Sequence, residues 1–322
     1  MNNNPGSSHK PSVAVLQHAV TSRTQYEIPL HFGITFVRHG ESTGNKLGVV
    51  QGHQDYPLST LGLNQAQQLG INSVMNLRVS HIYSSDLQRA VKTAEILRSY
   101  LLHAPEIQYD KRLRERGFGS LEGLSLKQFR AELQKSGVHM TDLKPPGGES
   151  TADLRARVIS FMEDLLTTLR AFDKERLKEL AANPNAASPS YYSEYQVPSG
   201  RSNPGAPPSV NDPLGASVLI FTHGGFIREA LLYLEQEYNF CVESQRHLLK
   251  AVSPNCGIST LTIKITEPKT TVNCMWLHRI YHVSDNSRPK LNQSMSIAAL
   301  RARSQSASGG NRKQFNSSIS MM

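Results

Sequence analysis

The chain has 322 residues, of which 38% are hydrophobic and 19% are charged, a balance typical of a folded globular protein that also carries polar segments. No apolar run approaches the ~20 residues that a transmembrane helix needs, so no membrane span is expected. Six basic residues after residue 285 supply most of the net charge of +9, and because no known nucleic-acid-binding module accompanies them, nucleic-acid binding is not expected either.

Strand-like and helix-like segments alternate along the middle of the chain. Short apolar, β-branched runs predict strands at residues 34–37, 82–84 and 218–221, with a closing strand pair at 257–265 and 271–283. Apolar residues at helical spacing predict helices at 59–74, 86–97, 153–180 and 226–234. This alternation predicts a single α/β domain.

Polar segments flank and interrupt this domain. We predict a disordered N-terminal arm at 1–30, one domain at 31–285 with a flexible insertion at 183–213, and a disordered, basic, Ser-rich tail at 286–322. Three cysteines without a CxxC pair favour a reducing compartment, so the cytoplasm is the expected location, and the acid-poor arm also allows mitochondrial association. The oligomeric state is left open.

Four clusters of polar residues stand out, and three of them directly follow a predicted strand. Because the carboxyl ends of parallel strands meet at one edge of a sheet, these side chains are expected to lie close together. The clusters are Arg38-His39-Gly40-Glu41-Ser42 with Asn45, Ser84 to Arg89, Leu113 to Gly119 with Glu122-Gly123, and Thr222-His223-Gly224-Gly225.

Together these clusters contain what phosphoryl transfer requires: a nucleophile, positive donors around the phosphate oxygens, and an acid for the leaving oxygen. Arg38 and Arg89 are expected to depress the pKa of His39, which keeps its imidazole neutral and nucleophilic. Guanidinium groups match phosphate oxygens, and His223 can add a further donor. Glu115, beside a phosphate dianion, is expected to hold a proton as general acid and later to serve as base for water.

The sequence resembles the histidine phosphatase superfamily, the phosphoglycerate mutase-like group with its Arg-His-Gly signature, over residues 33 to 283. Segments that resemble the fructose-2,6-bisphosphatases in particular are Leu113 to Arg116, Pro145 to Ser150, Ala216 to Leu219 and Val252 to Gly257. The resemblance implies a three-layer α/β/α sandwich with a mostly parallel central sheet. It also implies hydrolysis of fructose 2,6-bisphosphate to fructose 6-phosphate and phosphate, which would restrain glycolysis, with no metal or other cofactor.

The same resemblance assigns roles to individual residues. His39 resembles the phosphorylated nucleophile and Glu115 the proton donor, while Arg38, Arg89 and His223 resemble the phosphate pocket. The further predicted contacts with a phosphorylated sugar or glycerate are Ser42, Asn45, Gln51, Gly52, Arg116 and Gly224.

Other interpretations remain open. A phosphoglycerate mutase or bisphosphoglycerate phosphatase would use the same pocket, and a non-catalytic interaction module could keep the same fold. Residues 40–44 also satisfy the G-x-S-x-G elbow of serine hydrolases, although that reading leaves the charged clusters without a role. Cys274, His278 and His282 recur every fourth residue, but along a strand the outer two would lie ~26 Å apart, too far to share a metal ion.

Overall fold

The computed structural model describes residues 30–74, 77–101, 103–182, 214–239, 249 and 251–265, together with three short strands beyond residue 276. The predicted N-terminal arm up to residue 29, the predicted insertion at 183–213 and residues 292–322 of the predicted tail lie outside the described residues. Within the described part of the chain, no helix is both long and apolar enough to cross a membrane.

Strands and helices alternate, as the sequence predicts. In chain order they are β1 (Leu30–Arg38), α1 (Thr43–Leu47), α2 (Thr60–Leu69), β2 (His81–Ser84), α3 (Gln88–Arg98), β3 (Ile107–Tyr109), α4 (Leu126–Ser136), α5 (Thr151–Ala182), β4 (Ala216–Thr222), α6 (Gly224–Tyr238), β5 (Ile258–Ile265), β6 (Leu277–Arg279), β7 (Tyr281–His282) and β8 (Lys290–Leu291). A π-helical turn, Gly70–Val74, follows α2, and short 3-10 helices lie at Lys111–Leu113 and Gly119–Leu121.

The main sheet has the strand order β3-β2-β4-β1-β5-β6 in the part of the chain that the structure describes. The first four strands in this order are parallel, whereas β5 and β6 are antiparallel additions at one edge, which confirms the predicted mostly parallel sheet. Arg38 lies opposite Thr222 in register, and Ser84 lies opposite Phe221. The carboxyl ends of β1, β2 and β4 therefore meet at one edge of the sheet.

Helices cover both faces of this sheet. Successive side chains of a strand point to opposite faces, and β1 is largely buried on both. Phe32, Ile34 and Phe36 belong to a core cluster with α5 and α6, whereas Val37 belongs to a second cluster with α2 and α3. A strand buried in this way needs cover on each side, and the three-layer sandwich predicted from the resemblance provides it.

Four of these strands and helices were not predicted: α1, β3, α4 and β8, the last of which lies within the segment predicted as a disordered tail. Helix α4 carries Leu126, Phe129 and Leu133 at helical spacing but buries only Phe129, and local signals define its ends. Ser125 and Gln128 form a capping box at its start, and Gly137 ends it with a left-handed φ of 64°. The helix predicted at 59–74 is α-helical only from Thr60 to Leu69 and continues as the π-helical turn.

The closing strands are also more divided than predicted. Within the predicted strand at 271–283, β6 pairs antiparallel with β5, whereas β7 pairs with β8 in a separate two-stranded sheet. His278 and His282 therefore lie in different sheets, and Cys274 lies outside the described residues.

Candidate active site

His39 lies directly after β1, at the carboxyl edge of the sheet. Its main-chain N–H donates to the Thr222 carbonyl of β4 at 3.0 Å, and the residue is only 2% exposed. The ring Nδ1 lies 2.7 Å from the Gly40 carbonyl oxygen. Because a carbonyl oxygen can only accept, Nδ1 carries the proton of the neutral ring and Nε2 keeps its lone pair.

The imidazole of His39 is neutral at physiological pH. Burial is the largest effect, and it lowers the pKa of His39 well below the ordinary value of 6.5, while the positive charges of Arg89 and Arg38 lower it further. The hydrogen bond to Gly40 opposes this shift. The sequence indicated the two arginines, but the dominant effect of burial emerges only from the fold.

Two arginines flank this imidazole, and main-chain carbonyls hold them. Arg38 Nη1 donates to the Ser253 carbonyl at 2.6 Å. Arg89 donates from Nη1 and Nη2 to the carbonyls of Gln54 and Gly52 at 2.9 and 2.8 Å. Both Nε atoms are buried and have no hydrogen-bond partner among the described residues. Burial lowers the pKa of Arg89 to about 10, so its guanidinium remains charged at neutral pH.

His223 occupies the N-cap position of α6, without a side-chain capping bond, and lies beside His39, with the ring centroids 5.1 Å apart. Its Nε2 lies 2.9 Å from the hydroxyl of Ser85, which follows β2, and its Nδ1 is buried without a partner in the described structure. A hydroxyl can donate as well as accept, so Ser85 can donate to Nε2 and leave the ring proton on Nδ1. In that state His223 is a hydrogen-bond donor next to His39.

The residues around His39 therefore carry three buried nitrogen atoms that are unpaired in the described part of the chain. They are Nε of Arg38, Nε of Arg89 and Nδ1 of His223. Buried polar groups in folded proteins nearly always have a partner, so each exception asks for an explanation. Two guanidinium groups and one imidazole donor suit the oxygens of a tetrahedral oxyanion such as phosphate.

Glu115 lies at the same pocket, on the loop between β3 and α4. Its carboxyl oxygens accept hydrogen bonds from the main-chain N–H groups of Arg116 at 2.9 Å and Gly225 at 3.1 Å. A Cβ at position 225 would lie 2.1 Å from Glu115 Oε1, so this close approach requires glycine. The carboxylate also acts electrostatically on Arg38 and Arg89. The five residues with the principal predicted roles are thus brought together.

Ser42, Asn45 and Gln51 form a hydrogen-bonded cluster next to this pocket. Ser42 is fully buried and caps α1, and its hydroxyl lies 2.9 Å from Asn45 Oδ1 and 2.6 Å from Gln51 Oε1. The amide nitrogens of Asn45 and Gln51 are therefore the groups in this cluster that a ligand can use. A serine so enclosed does not match the exposed nucleophile of a hydrolase elbow, which argues against that interpretation.

Two glycines that the resemblance assigned to substrate contact lie against the arginines. The Gly52 carbonyl accepts from Arg89, as described above. A Cβ at Gly224 would lie 3.5 Å from Arg38 Nε. Glycine is favoured at Gly52 by its left-handed φ of 52°, and at Gly224 because a Cβ would lie 2.5 Å from Val252 Cγ1, whereas 3.5 Å from Arg38 Nε is an ordinary contact.

Arg116, another predicted contact, is committed to the protein itself. It is only 3% exposed, and its guanidinium lies 5.2 Å from the Phe118 ring centroid. Its N–H groups donate to the carbonyls of Met140, Leu143 and Glu149 and to the Thr151 hydroxyl. These bonds use four of its five N–H donors, so at most one is left for a substrate.

Asn255 is a residue of this region that the sequence-based assignment did not include. Its Nδ2 donates to the His39 carbonyl at 3.1 Å and to Asn45 Oδ1 at 3.3 Å. Asn255 therefore links the main chain of His39 to the hydrogen-bonded cluster that contains Asn45. The available signal was its position in the segment just before β5. Ser85 likewise belonged to a recognised cluster but had no assigned role.

The free energy of unfolding should fall as the pH drops below about 6.5, because His39 and His223 are buried in their neutral forms. In the unfolded chain each histidine binds a proton near pH 6.5, whereas in the fold the pKa of both lies well below that value. The stabilisation is therefore complete above about pH 6.5 and is lost as the pH falls toward the lowered pKa. Each histidine contributes a slope of up to ~1.4 kcal/mol per pH unit.

Urea unfolding from about pH 7.5 to about pH 5.5, where most carboxylates stay ionised, measures this slope. The slope should be shallower for His39→Gln than for the wild-type chain. His103→Gln is the matched control, because His103 is exposed and should leave the slope unchanged. His81, whose pKa burial also lowers, is present in every variant and cancels. If the free energy of unfolding changed with pH by the same slope in His39→Gln and in the wild type, that result would contradict a buried neutral imidazole at His39.

Residues 34–171 match the family model of the histidine phosphatase superfamily (branch 1). The chain is 33% identical over 263 residues to fructose-2,6-bisphosphatase TIGAR of Xenopus tropicalis, with 79% of this chain and 95% of the relative covered. It is 32% identical over 270 residues to TIGAR of Bos taurus, with 79% and 97% covered. A solved structure of a mycobacterial glucosyl-3-phosphoglycerate phosphatase has a similar fold, with a TM-score of 0.50, 22% identity, and coverage of 78% of this chain and 99% of that one.

Proposed function

This chain belongs to the histidine phosphatase superfamily, and we propose that it removes the 2-phosphate of fructose 2,6-bisphosphate to give fructose 6-phosphate and inorganic phosphate. Relatives that carry the name fructose-2,6-bisphosphatase align with most of its length, which supports this sugar as the substrate. Removal of the bisphosphate would restrain glycolysis. The sparse cysteines favour the cytoplasm as the place of this activity.

The proposed reaction has two steps at the pocket. In the first, Nε2 of His39 attacks phosphorus in line, the bond to the sugar oxygen breaks, and Glu115 gives that oxygen its proton. In the second, the Glu115 carboxylate takes a proton from water, whose oxygen attacks the phosphohistidine and releases inorganic phosphate and neutral His39. Arg38, Arg89 and His223 bind the phosphate oxygens in both steps.

The observation that carries this proposal is the set of unpaired donors around a bare imidazole nitrogen. Arg38 Nε, Arg89 Nε and His223 Nδ1 lack partners among the described residues, while the Gly40 carbonyl fixes the His39 tautomer. Donors held in place before the reaction stabilise developing charge without reorganisation, which is the main contribution a protein makes to phosphoryl transfer.

The test is to incubate the purified chain with fructose 2,6-bisphosphate, 2,3-bisphosphoglycerate or 3-phosphoglycerate in EDTA, and to measure phosphate release and isomerised product. We expect phosphate and fructose 6-phosphate in equal amounts from the sugar, at a higher kcat/KM than for either glycerate. Rapid isomerisation of 3-phosphoglycerate with the sugar untouched would replace this function by a mutase. Faster release from 2,3-bisphosphoglycerate would make the chain a bisphosphoglycerate phosphatase, and no turnover would favour an interaction module.

A further inference from the structure

Arg157 of α5 uses every one of its N–H groups within the chain. Its Nε and Nη2 donate to the two carboxyl oxygens of Glu149 at 3.0 and 2.7 Å. Its Nη1 donates to the carbonyls of Arg112 and Arg114 at 2.7 and 2.8 Å, and Nη2 also donates to the Glu115 carbonyl at 3.2 Å. A guanidinium has five donors, so none is left for a ligand.

Glu149 extends this contact to the residues that follow Glu115. Its main-chain N–H donates to the Gly117 carbonyl, and its carboxyl Oε2 accepts from the Gly117 N–H, both at 2.8 Å. The ion pair between Arg157 and Glu149 is largely shielded from water, with side chains 15% and 22% exposed. The loop from 112 to 117 is therefore held from α5 on both sides of Glu115.

We propose that Arg157 is a positioning residue, which fixes the carboxyl of Glu115 at the point where it meets the leaving-group oxygen. This inference rests on the proposed function, in which Glu115 is the general acid. Arg157 acts through the main chain of Glu115, whose carboxyl then reaches the Gly225 N–H at the start of α6. A general acid must lie within ~2.6–3.2 Å of the oxygen that it protonates, so a small shift of this loop costs activity where that proton is needed.

Esters with different leaving groups can distinguish a role of Arg157 in positioning Glu115 from a role in stabilising the fold. Nitrophenolate departs from phosphorus without a proton, whereas phenolate and especially an alkoxide depend on the acid. For Arg157→Met we expect kcat/KM to fall roughly 10- to 100-fold with phenyl and alkyl phosphates, part of the ~10²–10⁴-fold that an acid contributes, and less than ~3-fold with p-nitrophenyl phosphate. Arg157→Lys keeps the charge but has three donors in a different geometry, so its loss should be intermediate.

Arg112→Met is the matched control. The Arg112 side chain ties the same loop to α5 through the Ser160 hydroxyl at 3.1 Å and the Asp164 carboxylate at 2.6 Å. Unlike Arg157, it does not donate to the carbonyl of Glu115. We expect both Arg112→Met and Arg157→Met to lower the Tm. In Arg112→Met, however, the ratio of kcat/KM for p-nitrophenyl phosphate to kcat/KM for phenyl phosphate should stay unchanged.

Equal losses across the ester series in Arg157→Met would show that Arg157 only stabilises the fold, and would overturn the proposal. Adding Arg157→Met to Glu115→Gln should cost little more, because the acid is already gone, and a full second loss would also overturn it. If Arg157→Met fails to fold, Arg157→Lys gives the same comparison.

The two proposals fail in distinguishable ways. A wild-type chain that cleaves the aryl esters but not fructose 2,6-bisphosphate would correct the substrate and leave the test of Arg157 intact. A wild-type chain that cleaves none of these esters would overturn both.

Discussion

His39→Ala should lower kcat/KM for phosphate monoesters by roughly 10⁴-fold or more, since a missing nucleophile removes the whole covalent route. Arg38, Arg89 and His223 remain in this variant, so inorganic phosphate should still bind. Steady-state phosphate release measures the first effect, and a thermal shift with inorganic phosphate measures the second. Loss of turnover with retained phosphate binding would assign His39 to the chemistry and the other three to the pocket.

Trapping the intermediate decides which histidine is phosphorylated. Wild-type chain sampled during turnover of a labelled ester should carry a label on His39 that survives a base quench and is lost in an acid quench. The label should be absent from His39→Ala and from His39→Asn, which fills more of the buried site. His103→Ala, at an exposed position, should behave as wild type. A label on His223 would reverse the two roles.

The hydrogen bonds of the two imidazole rings favour His39 over His223 as the histidine that is phosphorylated. Its Nδ1 faces the Gly40 carbonyl, which can only accept, so the lone pair of the neutral ring is always on Nε2. His223 instead meets the Ser85 hydroxyl, which can donate or accept, so either of its nitrogens can carry the proton. His39 is suited to attack, and His223 to donate to the phosphate.

The central strands and the residues at their ends could be predicted from the sequence, because local pattern determines them. β1 and β4 are buried on both faces and therefore read as continuous apolar runs. Polar residues that directly follow such strands must gather at the carboxyl edge of the sheet. His39 and His223 were accessible to prediction for this reason, and the structure places them beside each other.

The contacts of Arg116 and Arg157 could not be predicted, because distant partners decide them. Arg116 stands next to Glu115 in the sequence, yet the carbonyls of Met140 and Leu143 claim its guanidinium. Arg157 did leave a signal, since it lies three residues after Leu154 and four before Phe161 and so falls on the buried side of α5. Its carbonyl partners lie more than 40 residues earlier, and the pattern of one helix cannot reveal them.

Glu115→Gln should lower kcat/KM by ~10²–10⁴-fold for fructose 2,6-bisphosphate and alkyl phosphates, whose leaving oxygens need a proton, and only slightly for p-nitrophenyl phosphate. Glutamine keeps the shape of the side chain but cannot supply that proton. One of the N–H groups of Arg116 and Gly225 would then face an amide NH₂ in place of an oxygen, which should cost ~1–3 kcal/mol of stability. Urea unfolding reports that cost separately, and Glu132→Gln, at an exposed position of α4, is the matched control.

The second role of Glu115, as base for water, has a different kinetic signature. With p-nitrophenyl phosphate, Glu115→Gln should still phosphorylate His39, because nitrophenolate leaves unaided, but hydrolysis of the phosphohistidine should then be slow. Rapid mixing should therefore show a burst of one nitrophenol per chain followed by slow turnover, with phosphohistidine accumulating. A uniform loss across leaving groups without a burst would remove Glu115 from both proton transfers. A burst together with a normal single-turnover rate of alkyl-ester cleavage would instead leave Glu115 only the second role, because the acid in the first step would then be another group.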